Sequence, residues 1–175
     1  MTRIMTRMLR ASLLDADLYE EVEADRGATG QAFLVVLISA VAAGIGSYDN
    51  SGPAGIFWGS AAALVGWYVW AYVTYFIGTR FLPTHETVAD HGELLRTIGF
   101  SSAPGVLRVL ALIPPIAGVV FLVSTLWMMV AMVVAVRQAL DYQSTGRAIA
   151  VCAIGFPVYA VLLAASLLAL GAWPA

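Results

Sequence analysis

Apolar residues in this chain fall in long uninterrupted runs separated by a few short polar stretches. The first, Gln31 to Gly46, reaches the roughly 20 residues a bilayer demands once Thr29, Gly30, Ser47 and Tyr48 are added. Tyr48-Asp49-Asn50-Ser51-Gly52-Pro53 is a turn by composition, and Gly55 to Gly78 is the second run. Arg80 to Arg96 forms the one substantial polar loop. From Ile98 to Val136 the chain is apolar except for Arg108, which is too long for a single crossing. Pro114-Pro115 divides that stretch, because proline has no backbone N–H and its ring excludes a continuing helix. A last run covers Ala148 to Leu170. The pattern predicts an all-α, polytopic membrane protein with five transmembrane helices near 29–48, 55–78, 98–113, 116–136 and 148–170. These make a membrane domain over 29–171, preceded by an N-terminal segment over 1–28.

That segment has two halves. At helical spacing Met1, Ile4, Met5, Met8, Leu9 and Leu13 fall on one side and Arg3, Arg7 and Arg10 on the other. This predicts an amphipathic helix lying in the headgroup plane with its arginines toward anionic lipid. Asp15 to Arg26 is acidic, and Asp17-x-x-Glu20 has capping-box spacing, which predicts a second short helix starting near Leu18. Glu20, Glu21, Glu23 and Asp25 do not share one face, so they read as a solvated acidic helix and not as a metal cluster. Asp90-x-x-Glu93 repeats the capping spacing before Leu94-Leu95.

Composition sharpens the class. The chain has 175 residues, 61% hydrophobic and 11% charged, with a mean hydropathy of +0.85. Soluble domains carry about 25% charged residues, so a soluble or disordered chain is excluded. All nine basic residues are arginine, which points to a GC-rich bacterial genome. The single cysteine, Cys152, allows neither an internal disulfide nor a cysteine zinc site. A net charge of -2 offers nucleic acid no attraction. Arg3, Arg7 and Arg10 interrupt any early apolar run, so the first span is expected to direct insertion without a cleaved leader. Outside the spans, arginines lie before span one, in the second loop and in the fourth. That alternation predicts a bacterial inner-membrane protein with a cytoplasmic N-terminus and an external C-terminus.

Within the five predicted spans there is no acidic residue and no histidine. Haem or chlorophyll held by intramembrane histidine and a carboxylate proton relay are thereby excluded, and an intramembrane serine protease, whose base is normally a histidine in a span, is disfavoured. Arg108 is the lone charge at membrane depth, readable as a lipid anchor or as the lining of a transport path. Gly55, Gly59 and Ala63 form a small-residue stripe for close helix approach. Trp67, Trp70 and Trp127 sit within spans, as packing residues between helices. His85 and His91 flank an acidic loop, but six residues apart they do not make the HExxH zinc motif. No cofactor, no metal and no enzyme activity is expected. Three classes stay open: an interaction protein contacting lipids, other membrane proteins or its own copies; a small channel or transporter using Arg108; and, last, a metal enzyme using His85 and His91.

At the start of the third span the chain reads Gly99-Phe100-Ser101-Ser102-Ala103-Pro104. This resembles the Gly-Tyr-x-x-x-Pro signature of the Yip family, integral membrane proteins named for interacting with Ypt/Rab GTPases. Asp17-Leu18-Tyr19 echoes that family's Asp-Leu-Tyr-Gly-Pro segment, and Glu93-Leu94-Leu95-Arg96, Trp127, Ser144 and Ala148-Ile149 follow in the order of bacterial members. Phe100 replaces the usual tyrosine, and Glu20-Glu21 stand in place of Gly-Pro. The resemblance implies five spans, a cytoplasmic N-terminus and no catalysis. It names no bacterial partner, which leaves an accessory subunit of a larger membrane complex as the expectation.

Overall fold

In the structure, a computed structural model, residues 2–85, 87 and 89–169 are described. Met1, Glu86 and the predicted end of the last span at Leu170 lie outside them. Every regular element among the described residues is helical. Two short helices come first, α1 (Thr2–Ser12) and α2 (Ala16–Ala24), followed by α3 (Ala28–Gly46) and α4 (Tyr48–Arg80). Then come α5 (His91–Ser101), a 3₁₀ segment (Ala103–Leu112), α6 (Ala117–Ala139) and α7 (Thr145–Ala169). Four stretches are long and apolar enough to cross a membrane: Ala28–Gly46, Gly52–Arg80, Pro114–Ala139 and Thr145–Leu162.

The difference from the expected five lies at 98–113, where the anticipated single helix is a splice. α5 supplies its first residues and stops at Ser101; the 3₁₀ segment supplies the rest. Pro104 has no N–H to return to the carbonyl of Phe100, so the α ladder loses a bond at this point. The backbone tightens instead to three-residue bonds, Ser102 N–H to Gly99 at 3.2 Å and Gly105 N–H to Ser102 at 2.9 Å. Two smaller boundaries also shift. The turn expected at 48–53 is helical from Tyr48 and broken at Gly52 (φ 59°, ψ −165°), a conformation that favours glycine. The N-cap of α2 is Asp15, whose carboxylate accepts from the N–H of Leu18 at 3.4 Å, so that helix starts two residues before Leu18. The box at Asp90 and Glu93 closes as the spacing predicts, with reciprocal bonds of 2.8 and 2.7 Å.

Contacts along the bundle set its register. A Cβ on Gly99 would lie 2.6 Å from the Cβ of Ala32. Farther along, Gly105 abuts the Ser39 hydroxyl and Gly46 abuts the carbonyl of Arg108. α5 and its 3₁₀ continuation therefore run parallel to α3: nine residues from Gly99 to Arg108 pass fourteen from Ala32 to Gly46. A 3₁₀ rise of about 2.0 Å per residue against about 1.5 Å makes up much of the difference. α6 runs the opposite way, with Met132 near Ser101, Met128 near Gly105 and Ser124 at Arg108. α7 opposes α4, Tyr159 meeting Gly66 and Tyr142 bonding the carbonyls of Gly78 and Leu82. The chain thus threads up and down, and α7 heads toward the end of the bundle opposite the one where α3 begins.

Two buried clusters hold the layers together. One joins Ile77, Leu94, Ile98, Val136, Leu140 and Val151 from α4, α5, α6 and α7 and their connections. The other joins α2 to α3, α5 and the 3₁₀ segment. The outward faces of α4, α6 and α7 leave Val65, Tyr72, Leu122, Met129, Phe156 and Val161 exposed. So broad an apolar belt is what a lipid solvent requires.

Candidate interaction site: an N-terminal hairpin in its socket

α1 and α2 form a helical hairpin turned at Leu14, which takes a left-handed φ of 62°. Its tip reaches down the side of the bundle. The indole N–H of Trp127 donates to the carbonyl of Ser12 at 2.7 Å. Trp127 lies twelve residues before Ala139, about 18 Å from that end of α6. The base of the hairpin stays near the end where α3 begins: Arg7 Nη1 donates to Gln31 Oε1 at 3.1 Å, and Gln138 Nε2 donates to Glu20 Oε1 at 2.8 Å.

Arg7 and Arg10 of α1 turn toward α2, whereas Arg3 is largely exposed. Arg7 is 2% exposed and bonds Glu21 at 2.7 Å and Asp25 at 2.9 Å. Arg10 pairs with Asp15 and Glu21, both at 2.7 Å, and Arg3 with Asp25 at 3.3 Å. Hydrogen bonds from Arg7 and Arg10 hold the Glu21 carboxyl below the usual carboxylate range. Arg10 does the same for Asp15, and Arg7 for Asp25. The apolar half of α1 is divided in turn. Ile4 and Met8 pack on the core, whereas Met5, Leu9 and Leu13 form an outward ridge at four-residue spacing, each more than 60% exposed.

The socket is built around the segments singled out by resemblance. Leu18, Tyr19 and Phe100 are fully buried in one cluster with Val22, Ala32 and Ala103. The Tyr19 hydroxyl donates to the carbonyl of Ala11 at 3.2 Å, closing the hairpin on itself. Gly99 admits Ala32, and Pro104, also buried, heads the 3₁₀ segment. Asp17 stands apart, exposed in the first turn of α2, where a negative charge suits the helix dipole.

Sequence reasoning placed Arg96 in the Glu93-Leu94-Leu95-Arg96 stretch but gave its side chain no role. It is 5% exposed, and its Nε donates to the carbonyls of Val22 at 3.0 Å and Glu23 at 2.9 Å, with Nη2 also on Glu23. A cation thus satisfies the carbonyls at the C-terminal end of α2, where the dipole favours it. The available signal was its place in a capped helix immediately after Leu94-Leu95, a position on a packed face. Beside it opens a groove of about 800 Å³ lined by Glu20, Glu23, Glu93, Arg137, Asp141 and Tyr142 among others. Burial, reinforced by Asp141, Glu93 and Glu20, pushes the Glu23 carboxyl up to about 7.

The remaining candidates lie elsewhere. Trp67 donates to the carbonyl of Leu95 at 3.0 Å and Trp70 to the Met132 sulfur at 3.1 Å, so these indoles bind helices together. Gly59 faces open space, with nothing within 4 Å of an added Cβ; Gly55 and Ala63 are half-buried. Within the chain, α3 and α4 approach instead at Gly44, where an added Cβ would lie 2.9 Å from the Ile56 Cα. His91 packs edge-on against Tyr68, Tyr72 and Tyr75, and His85 is exposed. No group of three or more metal-ligating side chains occurs among the described residues. Arg108 sits at the far end of the bundle, with Ser124 and Thr125.

A family model described as the Yip1 domain matches residues 15–167. No curated protein and no solved structure matches the chain. The matched range opens at the N-cap of α2 and takes in both halves of the buried cluster.

Proposed function

The chain belongs to the Yip1 domain family, and from that premise we propose that it works without catalysis, as an interaction protein of a bacterial inner membrane. It contacts lipid and other membrane proteins, as an accessory subunit of a larger complex. The observation that carries this reading is the division of labour in the hairpin. Leu18, Tyr19, Gly99 and Phe100 are spent on packing α2 into its socket, which leaves Met5, Leu9 and Leu13 as the unpartnered face. Those three side chains continue the apolar belt at the depth of the leaflet that surrounds the hairpin tip. On this reading α1 is interfacial through its ridge, with its arginines neutralised by α2.

The same reading has α5 and the 3₁₀ segment complete a fifth crossing beside α3, with the hairpin cytoplasmic and the C-terminus external. A C-terminal alkaline phosphatase fusion is then active, and an inactive one overturns the topology. The functional test is a gentle-detergent pull-down of tagged protein from its native membrane, followed by mass spectrometry. A stoichiometric partner that is lost on Leu9→Ser supports the accessory role; recovery of the chain alone defeats it.

A channel or transporter is the second reading, favoured by the one intramembrane cation, Arg108, on a segment interrupted by Pro104. It requires liposome flux that disappears on Arg108→Gln.

A further inference from the structure

At the end of the bundle away from the hairpin, Arg108 stands beside two hydroxyls of α6. Its Nε donates to Ser124 Oγ at 3.2 Å and its Nη2 to Thr125 Oγ1 at 2.9 Å, and its guanidinium carbon lies 5.6 Å from the centre of the Phe121 ring. The side chain is half-buried and has no carboxylate partner among the described residues. Its carbonyl abuts Gly46, the last residue of α3, so its backbone lies where that helix ends. The other buried arginines, Arg7 and Arg96, are satisfied by carboxylates and carbonyls. Arg108 alone keeps an uncompensated charge in apolar surroundings, with Val109, Leu110 and Leu112 exposed around it.

A guanidinium has five N–H donors, and two are used here. The other three lie on Nη1 and Nη2, the edge that grips two oxygens of one anion. Ser124 spends its own hydrogen on the carbonyl of Phe121 at 3.2 Å, whereas the exposed Thr125 hydroxyl keeps a hydrogen to donate. We propose that Arg108 and Thr125 form a phosphate-binding site at this end of the bundle, with Ser124 as the positioning residue that aims the guanidinium. The ligand class is a phosphate oxyanion, held by two guanidinium N–H bonds and one hydroxyl. At the level where α3 ends, the phosphodiester of an anionic lipid reaches it with the acyl chains lying on the exposed apolar side chains. A free phosphate ion carries the same chemistry.

The site rests on membrane insertion but not on the hairpin, so the two readings fail separately. The test uses the full chain in nanodiscs or mild detergent, with native mass spectrometry counting retained lipid. Wild type is expected to hold phosphatidylglycerol at least tenfold better than phosphatidylcholine. Arg108→Gln removes that preference, Arg108→Lys keeps part of it, and Leu9→Ser leaves it intact. Thr125→Val, which spares the charge, lowers it several-fold and gives a readout should Arg108→Gln fold poorly. Displacement of the lipid by millimolar inorganic phosphate assigns the site to the free ion; persistence assigns it to the headgroup. Equal anionic preference in wild type, Arg108→Gln and Thr125→Val overturns the proposal.

Discussion

Arg96 closes the end of a helix that lies more than seventy positions before it: its Nε reaches the carbonyls of Val22 and Glu23 at 3.0 and 2.9 Å, within one cluster of bonds that fastens α2 to α5. The side chain is almost fully withdrawn from solvent. Its charge is therefore met by carbonyl dipoles, which binds the position of α2 to that of α5. Arg96→Gln keeps some donors but loses the charge-assisted bonds, a cost of about 1.5–3 kcal/mol. Amide exchange should rise at residues 16–24 before it rises in α3 or α6. Unchanged protection of α2 would remove Arg96 from this role.

Gly99 and Ala32 set a second test. Alanine at 99 would place its Cβ 2.6 Å from the Cβ of Ala32 and 3.2 Å from its Cα, contacts that backbone must move to relieve. Gly99→Ala is expected to destabilise by about 1–3 kcal/mol in detergent unfolding. Ala32→Gly in the same chain should return part of that loss, whereas strictly additive effects would mean the two residues do not meet.

The acidic groove makes stability depend on pH around neutrality. Glu23 is pushed up from its ordinary value to about 7, by burial first and then by Asp141, Glu93 and Glu20. Because its folded value lies above its unfolded one, the native state holds the proton more tightly. Docking of α2 is thus strongest below about pH 4.5 on this account and weakens as pH climbs toward 7. Discounted for partial exposure, the change is about 1–2 kcal/mol. Glu23→Gln should flatten the decline in unfolding midpoint between pH 5 and 8.

Glu21, Asp15 and Asp25 act in the opposite sense. Their hydrogen bonds to arginine lower their folded values, so the α1–α2 pairing is intact above the ordinary carboxylate range and is lost as pH falls through it. Exchange at residues 3–12 should accelerate below about pH 4 in wild type. In Arg7→Gln it should already be fast at pH 7. An α1 equally protected in both would mean the ion pairs do not hold it.

Trp127 anchors the tip of the hairpin through one bond of 2.7 Å to the Ser12 carbonyl. Phenylalanine keeps most of the packing and loses the donor, so Trp127→Phe should cost about 1 kcal/mol and speed exchange near residues 11–15. Exchange spread evenly over the chain would contradict a local anchor.

Much of the bundle was legible because apolar runs have a length that only a bilayer explains, and Ala28–Gly46 and Ala117–Ala139 fall close to their predicted limits. Pro104 stands inside the predicted third span, but whether a proline kinks an α-helix or turns the chain to 3₁₀ depends on neighbours that sequence does not display. Here the snug approach of Gly105 to Ser39 selects the narrower coil. Arg7 and Arg10 of α1 face acidic partners that the expected lipid-facing direction did not include. A helical wheel reports which residues share a side, not what lies opposite, and the acidic partner is α2 in place of lipid. Phe100 and Tyr19 were recognised as motif residues, yet their joint burial needed the fold to bring the two segments together.

The tightly wound stretch from Ala103 to Leu112 gives the bundle a fixed quantity of reserve length. Ten residues at about 2.0 Å rise would shorten by about 5 Å if they rewound to α geometry, close to one helical pitch. Such a rewinding would draw Arg108 and the Pro114-Pro115 corner inward by about a turn. The close passages at Gly46 and Gly105 are what block it. The extended winding is therefore latched by α3, and the end of the bundle that carries Arg108 keeps its height only while that neighbour stays in register.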